Sequence, residues 1–260
     1  MPEMMQDWTE RFSLAGRTAL VTGASKGLGA EICRVFANAG ADIIATARDV
    51  AGLEETAEAV AAHGRRCVTL AGELANVDDV HRIGRQALEA AGTVDILVNN
   101  AGMSHVEPAL ETTVEHWDHT FAVNTRAPFL LAQAVAPGMI AQRWGKIINV
   151  SSQTGPLAIP DHAAYAASKG ALNALTKSLT CEWAKHNIQV NAICPTVVMT
   201  PMGIRVWSDE EKGAPMLARI PAGRFGQPVE IADMALYLAS PASGFVNGAI
   251  MMIEGGYSSV

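Results

Sequence analysis

The sequence has no run of apolar residues long enough to cross a membrane, since none reaches the roughly 18 residues that a spanning helix needs. Its first 17 residues also lack a basic stretch followed by an apolar stretch, so they do not resemble a secretory signal. We therefore expect a cytoplasmic protein with no membrane partner.

The chain also has fewer basic than acidic residues. The chain has 19 Lys and Arg against 26 Asp and Glu, which gives a formal net charge of -7. A mildly acidic surface attracts polyanions poorly, so we expect no nucleic-acid partner. The overall balance leaves room for a local basic pocket.

Cysteine is scarce and scattered, because the four cysteines form no C-x-x-C pair. This pattern favours buried free thiols over disulfides or a metal site. One spacing is typical of metal ligands, since His116 and His119 are three apart and share a helix face. With no cysteine or further histidine clustered beside them, they predict an exposed helix, and no metal is expected.

No feature divides the chain, which has no Pro/Gly/Ser-rich linker, low-complexity tract or internal repeat. With 260 residues, 49% of them hydrophobic, it can bury a large core. We predict one domain over residues 1–260, with residues 1–15 as an N-terminal extension.

Segments rich in Val and Ile alternate with longer amphipathic segments. The predicted strands are 18–22, 42–47, 67–71, 94–98, 146–150, 189–193 and 249–253, and the predicted helices are 28–39, 50–63, 77–90, 127–142, 162–185 and 229–240. This alternation predicts an α/β fold, a single-domain Rossmann-like doubly wound parallel sheet with helices on both faces. Ligands of such sheets bind beyond the carboxyl ends of the strands.

A glycine-rich segment, residues 22–29 (TGASKGLG), follows the first strand and opens the first long helix. Gly23 can make the tight turn, while Gly27 and Gly29 let the backbone approach a pyrophosphate closely. The helix N-terminus offers free N–H groups and a positive dipole end to that anion. The segment therefore predicts dinucleotide binding.

The end of the second strand indicates which dinucleotide binds. An acid there accepts from the ribose 2′-hydroxyl of NAD, whereas an arginine accommodates the 2′-phosphate of NADP. Ala47 stands at the acid's position and Arg48 follows it, with Lys26 as a second cation. We predict NADP(H), and Asp49 next to the arginine keeps NAD possible.

Tyr165 and Lys169 are four residues apart at the start of a predicted helix, so they share one face. A phenol with a pKa near 10 must approach about 7 to exchange protons at neutral pH. An ammonium about 4 Å away supplies the roughly 4 kcal/mol that this shift needs. The alternative is an ordinary surface pair.

The spacing T-G-x-x-x-G-x-G, the segment 99–102 (NNAG) after a strand, and Ser152 thirteen residues before Tyr165 resemble the short-chain dehydrogenase/reductase family. The resemblance covers residues 12–257. It implies four catalytic residues, Asn124, Ser152, Tyr165 and Lys169. In this family the serine orients the substrate carbonyl and the asparagine holds a water that links the lysine to solvent.

The same resemblance implies a set of cofactor contacts along the carboxyl edge of the sheet. They are Gly23, Ser25, Lys26, Gly27, Leu28, Gly29, Arg48, Glu73, Leu74, Asn99, Ala101, Gly102, Tyr165, Lys169, Pro195, Val198, Thr200 and Met202. Thr196 stands where the family's P-G-x-x-x-T loop has glycine, which puts the local loop geometry in question.

Residues 148–153, 168–172 and 195–209 resemble the branch of dicarbonyl/L-xylulose reductases and polyol dehydrogenases. This likeness implies a small carbonyl substrate, a ketose or α-dicarbonyl, interconverted with its alcohol. The implied substrate contacts are Ser152, Gln153, His162, Tyr165 and Trp207, and the two side chains Gln153 and His162 can hydrogen-bond hydroxyl groups. The family resemblance also implies a homotetramer, for which Ala167, Ala171 and Ala174 would permit close helix packing.

Three alternatives remain open. One is a 3-oxoacyl thioester reductase, although acidic residues 209–211 interrupt the basic residues that would dock an acyl carrier. Another is a sugar-acid dehydrogenase, because the N-terminal half also resembles gluconate 5-dehydrogenases. The third is a non-catalytic NADP-binding regulator, which would not need the intact set of four catalytic residues.

Overall fold

The computed structural model describes residues 7–259, whose strands form one parallel seven-stranded sheet in the order β3-β2-β1-β4-β5-β6-β7. The strands are β1 Thr18–Thr22, β2 Asp42–Ala47, β3 Cys67–Ala71, β4 Ile96–Asn99, β5 Gly145–Val150, β6 Ile188–Pro195 and β7 Ile250–Ile253. The order reverses between β1 and β4, so the sheet is doubly wound and the predicted fold class is confirmed.

Ten α-helices occur in the described part of the chain, together with a π-helical segment, Ala122–Arg126. They are α1 Trp8–Arg11, α2 Gly27–Asn38, α3 Val50–Ala61, α4 Val77–Ala91, α5 Val114–Phe121, α6 Ala127–Gln142, α7 Ala163–Trp183, α8 Pro201–Trp207, α9 Glu210–Leu217 and α10 Pro228–Ala239. The predicted bounds of α6 and of the first three strands match these ranges. Helices α8 and α9 have no counterpart in the prediction; Pro201 begins the first, and Pro215 lies inside the second.

The central strands are buried on both faces, which is why they read as continuous apolar runs rather than alternating ones. Every residue of β4, β5 and β6 is buried. One apolar cluster packs α2, α3 and α10 against the sheet, and a second cluster packs α4, α6 and α7 against the opposite face. The two layers of helices leave the carboxyl edge of the sheet for loops.

Part of the predicted N-terminal extension belongs to this core. Leu14 is fully buried, and its N–H donates to the Ala39 carbonyl oxygen at 2.8 Å. This burial was not predictable from the sequence, because a single leucine forms no periodic pattern. Residues 1–6 of the predicted extension lie outside the described residues.

No helix within residues 7–259 is long and apolar enough to cross a membrane. The cytoplasmic location expected from the sequence stays a prediction.

Lys146 is a buried cation near the amino end of β5. It is 1% exposed, and its Nζ donates to the Ser243 hydroxyl at 2.9 Å. Burial removes water from the ammonium and lowers the pKa of Lys146 to about 8. The folded protein therefore releases this proton at a lower pH than the unfolded chain does.

This difference predicts how stability depends on pH. Between about pH 8 and the ordinary lysine pKa of 10.5, the unfolded chain binds more protons at this position, so the free energy of unfolding rises with pH. Lys146→Met should remove that rise. The free energy of unfolding of Lys146→Met minus that of the wild type should therefore fall as the pH rises through this range. Urea denaturation at several pH values measures this difference.

Lys177→Met removes an exposed lysine on α7 and serves as the matched control. Its stability relative to the wild type should stay flat over the same pH range. If the stability of Lys146→Met relative to the wild type also stayed constant over this pH range, burial would not lower the pKa of Lys146.

Candidate active site

The loop between β1 and α2 is a backbone cradle with no room for a side chain at Gly23 and Gly29. Gly23 and Gly27 have positive φ angles of 64° and 59°, a region that favours glycine. A Cβ on Gly29 would lie 2.2 Å from the Gly23 carbonyl oxygen. The cradle ends at the N-terminus of α2, which together with the close-packed backbone fits a dinucleotide pyrophosphate.

Thr22 ties this cradle to the loop that follows β4. Its hydroxyl oxygen accepts from the N–H groups of Asn100 and Ala101, each at 3.0 Å. The Asn100 amide donates to the Thr22 carbonyl oxygen at 2.8 Å. Two neighbouring strand ends are therefore fixed relative to each other at the edge where the fold places ligands.

Asn99, which is expected to contact the cofactor, is buried at the end of β4. It is 2% exposed, and its side-chain amide donates to Asn149 Oδ1 at 2.9 Å inside the sheet. Asn99 is the last residue of β4 and is paired in register with Asn149 on β5. Its Oδ1 has no hydrogen-bond partner among the described residues, and Ala101 and Gly102 lie in the following loop.

The ends of β2 and β3 together carry one arginine and two carboxylates, and both carboxylates accept hydrogen bonds. Asp49 Oδ1 accepts from the Gly52 N–H at 3.3 Å, so Asp49 caps the N-terminus of α3. Arg48 Nη1 lies 3.1 Å from Glu73 Oε2 beyond the neighbouring strand β3. Leu74, the next residue, is 8% exposed and packs into the core beside α4.

Asn124 lies at the centre of the π-helical segment that interrupts α5 and α6, and it is fully buried. Its Oδ1 accepts from the Met103 N–H at 2.9 Å, and its Nδ2 donates to the Met103 carbonyl oxygen at 2.9 Å. The same Nδ2 lies 3.0 Å from the Ser168 hydroxyl oxygen on α7. Such π-bulges are frequent at functional sites because they re-aim a side chain within a helix.

The other three predicted catalytic residues meet at the junction of β5 and α7. Lys169 Nζ donates to the Val150 carbonyl oxygen at 2.8 Å and lies 5.7 Å from the centre of the Tyr165 ring. The Thr154 N–H donates to the Ser152 hydroxyl oxygen at 3.1 Å, which orients that hydroxyl. A Cβ on Gly102 would lie 3.3 Å from Lys169 Nζ, so that glycine borders the lysine.

The pKa values of this pair depart from the sequence-based expectation that Lys169 lowers the pKa of Tyr165. Burial raises the pKa of Tyr165 above its ordinary value of 10, although a hydrogen bond from Ser152 acts in the opposite direction. Burial also lowers the pKa of Lys169 to about 8. The expectation neglected desolvation, which penalises the phenolate and the ammonium alike.

Three side chains were predicted to contact substrate besides Ser152 and Tyr165. Gln153 is 3% exposed, and its Oε1 has no hydrogen-bond partner among the described residues. His162 precedes α7, and its ring centre lies 6.1 Å from that of Tyr165. Trp207 ends α8, and its ring centre lies 6.4 Å from that of Phe225.

The loop after β6 borders the glycine cradle. Thr200 caps α8, because its hydroxyl oxygen accepts from the Gly203 N–H at 3.1 Å. A Cβ on Gly27 would lie 3.4 Å from Thr200, which places the two loops in contact. Pro195 ends β6, Val198 is 8% exposed, and the side chain of Met202 lies outside the described part of the chain.

The sequence analysis missed three residues that lie together in the structure, His105, Glu107 and His116. We call this group the histidine clamp. The His105 and His116 rings stack with centres 3.8 Å apart, and Glu107 Oε2 lies 2.9 Å from His116 Nδ1. The Glu107 N–H also donates to the Asp161 carbonyl oxygen at 2.9 Å. The clamp therefore joins α5 to the segment that carries His162.

The clamp predicts a local change in backbone protection. Glu107→Ala removes the partner of His116, so amide exchange should speed up severalfold across residues 103–107 and 159–163. Hydrogen–deuterium exchange with mass spectrometry measures this change. Glu111→Ala, an exposed acid of the same loop, should leave both segments at the wild-type rate. Equal exchange in Glu107→Ala and wild type would show that the clamp does not hold this segment.

Comparison with known proteins agrees with this geometry. Residues 23–258 match a family model described as enoyl-(acyl carrier protein) reductase. The chain is 43% identical over 245 residues to L-xylulose reductase of Bos taurus, covering 94% of this chain and 97% of that protein. It is 36% identical over 249 residues to an NAD-dependent glycerol dehydrogenase of Listeria innocua, covering 95% and 96%.

Among solved structures, the chain is similar to a gluconate 5-dehydrogenase from Burkholderia cenocepacia J2315 in complex with NADP and tartrate. The TM-score is 0.91 at 36% identity, with 97% of this chain and 99% of that chain covered. These matches and the arrangement of the site agree, so the chain belongs to the short-chain dehydrogenase/reductase family.

Proposed function

We propose that this protein is an NADP(H)-dependent oxidoreductase that interconverts a small polar ketone, such as a ketose or α-dicarbonyl, and its alcohol. The observation that carries the proposal is the meeting of Ser152, Tyr165 and Lys169 beside a glycine cradle, with Asn124 buried behind them. The likeness to a ketose reductase and to a polyol dehydrogenase supports the substrate class.

The residues that would hold the cofactor lie along the carboxyl edge of the sheet. The cradle of Gly23, Gly27 and Gly29 would take the pyrophosphate, and Arg48 with Lys26 would face the adenosine end. When bound, the nicotinamide cofactor gives or takes the hydride. The cofactor preference is supported by the N-cap role of Asp49, which removes that carboxylate as a partner for a ribose hydroxyl.

The chain's own residues would move the proton. Tyr165 gives its phenolic proton to the carbonyl oxygen during reduction and takes one from the alcohol during oxidation. Ser152 hydrogen-bonds the same oxygen and fixes its position. The Lys169 ammonium lies near enough to stabilise the phenolate, and Asn124 fixes the start of α7 through Ser168.

Replacing the proton donor gives the first test of this mechanism. Tyr165→Phe should lower kcat about 10²- to 10⁴-fold, which is the usual contribution of a general acid, while NADPH affinity stays nearly unchanged. Steady-state kinetics and NADPH fluorescence titration measure the two quantities.

Tyr257→Phe is the matched control, because the Tyr257 hydroxyl is buried and has no hydrogen-bond partner among the described residues. It should keep wild-type kcat. Substantial turnover by Tyr165→Phe would remove Tyr165 from the role of acid and base.

Substrate choice is tested by comparing two kinds of ketone. A site that hydrogen-bonds hydroxyl groups rejects analogues lacking them far more strongly than an apolar pocket rejects one methylene. We therefore expect a higher kcat/KM for a ketopentose than for a long-chain 3-oxoacyl thioester. His162→Ala and Trp207→Ala should raise KM for the ketopentose and leave NADPH affinity nearly unchanged.

A large advantage for the thioester would instead favour the acyl reductase, the reaction class nearest to the description of the matching family model. A sugar-acid dehydrogenase is the second candidate, supported by the likeness to a gluconate 5-dehydrogenase. An advantage of 5-ketogluconate over both other substrates would identify it.

We also propose a homotetramer, in which the face formed by α5, α6 and α7 is one subunit contact. Trp117 and Phe129 on this face are 39% and 40% exposed. Ala167 and Ala174 on α7 are exposed as well, which leaves room for close helix packing. Exposed aromatic side chains next to small residues are typical of surfaces that pack against another copy.

Light scattering at micromolar concentration tests the assembly. The wild type should have four times the mass of one chain. Phe129→Asp should reduce that mass, because an unpaired carboxylate would be buried in the contact. Val50→Asp, an exposed site on the opposite face of the sheet, should keep it. A monomeric wild type would contradict the proposal.

A further inference from the structure

We propose that Glu73 competes with the 2′-phosphate of NADP for Arg48, and so narrows the preference for NADP over NAD. The inference rests on the proposed function, because it concerns the same cofactor site. In this proposal Glu73 does more than contact the cofactor, since it would weaken the binding of NADP but not that of NAD.

The two side chains come from neighbouring strands at the same edge. Arg48 follows β2 and Glu73 follows β3, whose last residues Ala47 and Ala71 are paired in the parallel register. Arg48 Nη1 lies 3.1 Å from Glu73 Oε2. The side chain of Arg48 is 72% exposed and that of Glu73 is 38% exposed.

The carboxylate is held more firmly than the arginine. Glu73 Oε1 accepts from the Ala75 N–H at 3.2 Å, and the Glu73 N–H donates to Asp79 Oδ2 at 2.8 Å. Asp79 is itself paired with Arg82 on α4. Since Glu73 is fixed by its own turn, Arg48 is the partner that would have to leave when a phosphate arrives.

Because of the phosphate charge, this competition would weaken the binding of NADP and not that of NAD. A guanidinium binds a carboxylate or a phosphate with the same donors, so Arg48 bound to Glu73 has fewer of them free. A 2′-phosphate near Glu73 would also meet a like charge. NAD has a neutral hydroxyl at this position, so it would leave the ion pair intact and feel no repulsion.

The other nearby carboxylate does not share this role. Asp49 accepts from the Gly52 N–H as the cap of α3, and so is turned toward its own helix.

The Arg48–Glu73 pair is exposed, and exposed pairs are weak, so its removal should change affinity only about two- to fivefold. The experiment must therefore compare ligands that differ by the phosphate alone.

Calorimetric titration with 2′,5′-ADP and 5′-AMP makes that comparison without catalysis. Glu73→Gln keeps an oxygen for the Ala75 N–H but loses the charge. It should tighten 2′,5′-ADP binding about two- to fivefold more than it changes 5′-AMP binding. The ratio of kcat/KM for NADPH to that for NADH should rise by the same factor.

Glu89→Gln is the control for overall charge, because it removes the same negative charge from a side chain that is 67% exposed, in the last turn of α4. It should leave both affinities unchanged. Equal tightening by both variants, equal changes for both ligands, or no change in Glu73→Gln would each overturn the proposal.

Arg48→Leu separates this inference from the proposed function. It should weaken 2′,5′-ADP binding, and the effect of Glu73→Gln should shrink in its background, as expected for two groups that interact. If Arg48→Leu leaves 2′,5′-ADP binding unchanged, the NADP preference itself is wrong. If it weakens binding while Glu73→Gln has no effect, only the competition is wrong.

Discussion

The arrangement of the site depends on the buried side chain of Asn124. This one amide accepts from and donates to the Met103 backbone and lies against Ser168, so it joins the loop after β4 to the start of α7. A buried amide that lost these partners would carry an unsatisfied donor and acceptor, which costs about 1–3 kcal/mol for each group. The π-helical segment places it there, because a regular helix from α5 into α6 would rotate the side chain elsewhere.

Burial then sets the chemistry that α7 can perform. The burial that removes water from Tyr165 and Lys169 raises the pKa of the phenol and lowers the pKa of the amine to about 8. The protein alone therefore keeps Tyr165 protonated, as a proton donor should be before reduction. Under the proposed mechanism, the positive charge of the oxidised cofactor would lower the Tyr165 pKa, which would couple proton transfer to the cofactor's state.

Much of the fold and part of the candidate site could be predicted from local sequence. Strands β1, β2 and β3 and helix α6 have their predicted bounds, because apolar runs and flanking glycines are local signals. The π-helical break was not predictable in this way, since it depends on the fit of Asn124 between two distant elements. The histidine clamp was not predictable either, because His105 and His116 are brought together by the folding of a loop. The cap formed by Asp49 depends in the same way on the folded turn into α3.

Isotope transfer tests the central claim most directly. The protein would be incubated with NADPH carrying deuterium at C4 of the nicotinamide, in both stereochemical forms, and with a ketopentose in ordinary water. We expect a pentitol with one deuterium at the former carbonyl carbon from one of the two forms, with the hydroxyl proton drawn from solvent through Tyr165. A pentitol with hydrogen only from solvent at that carbon, or no turnover of ketoses with either cofactor form, would contradict it.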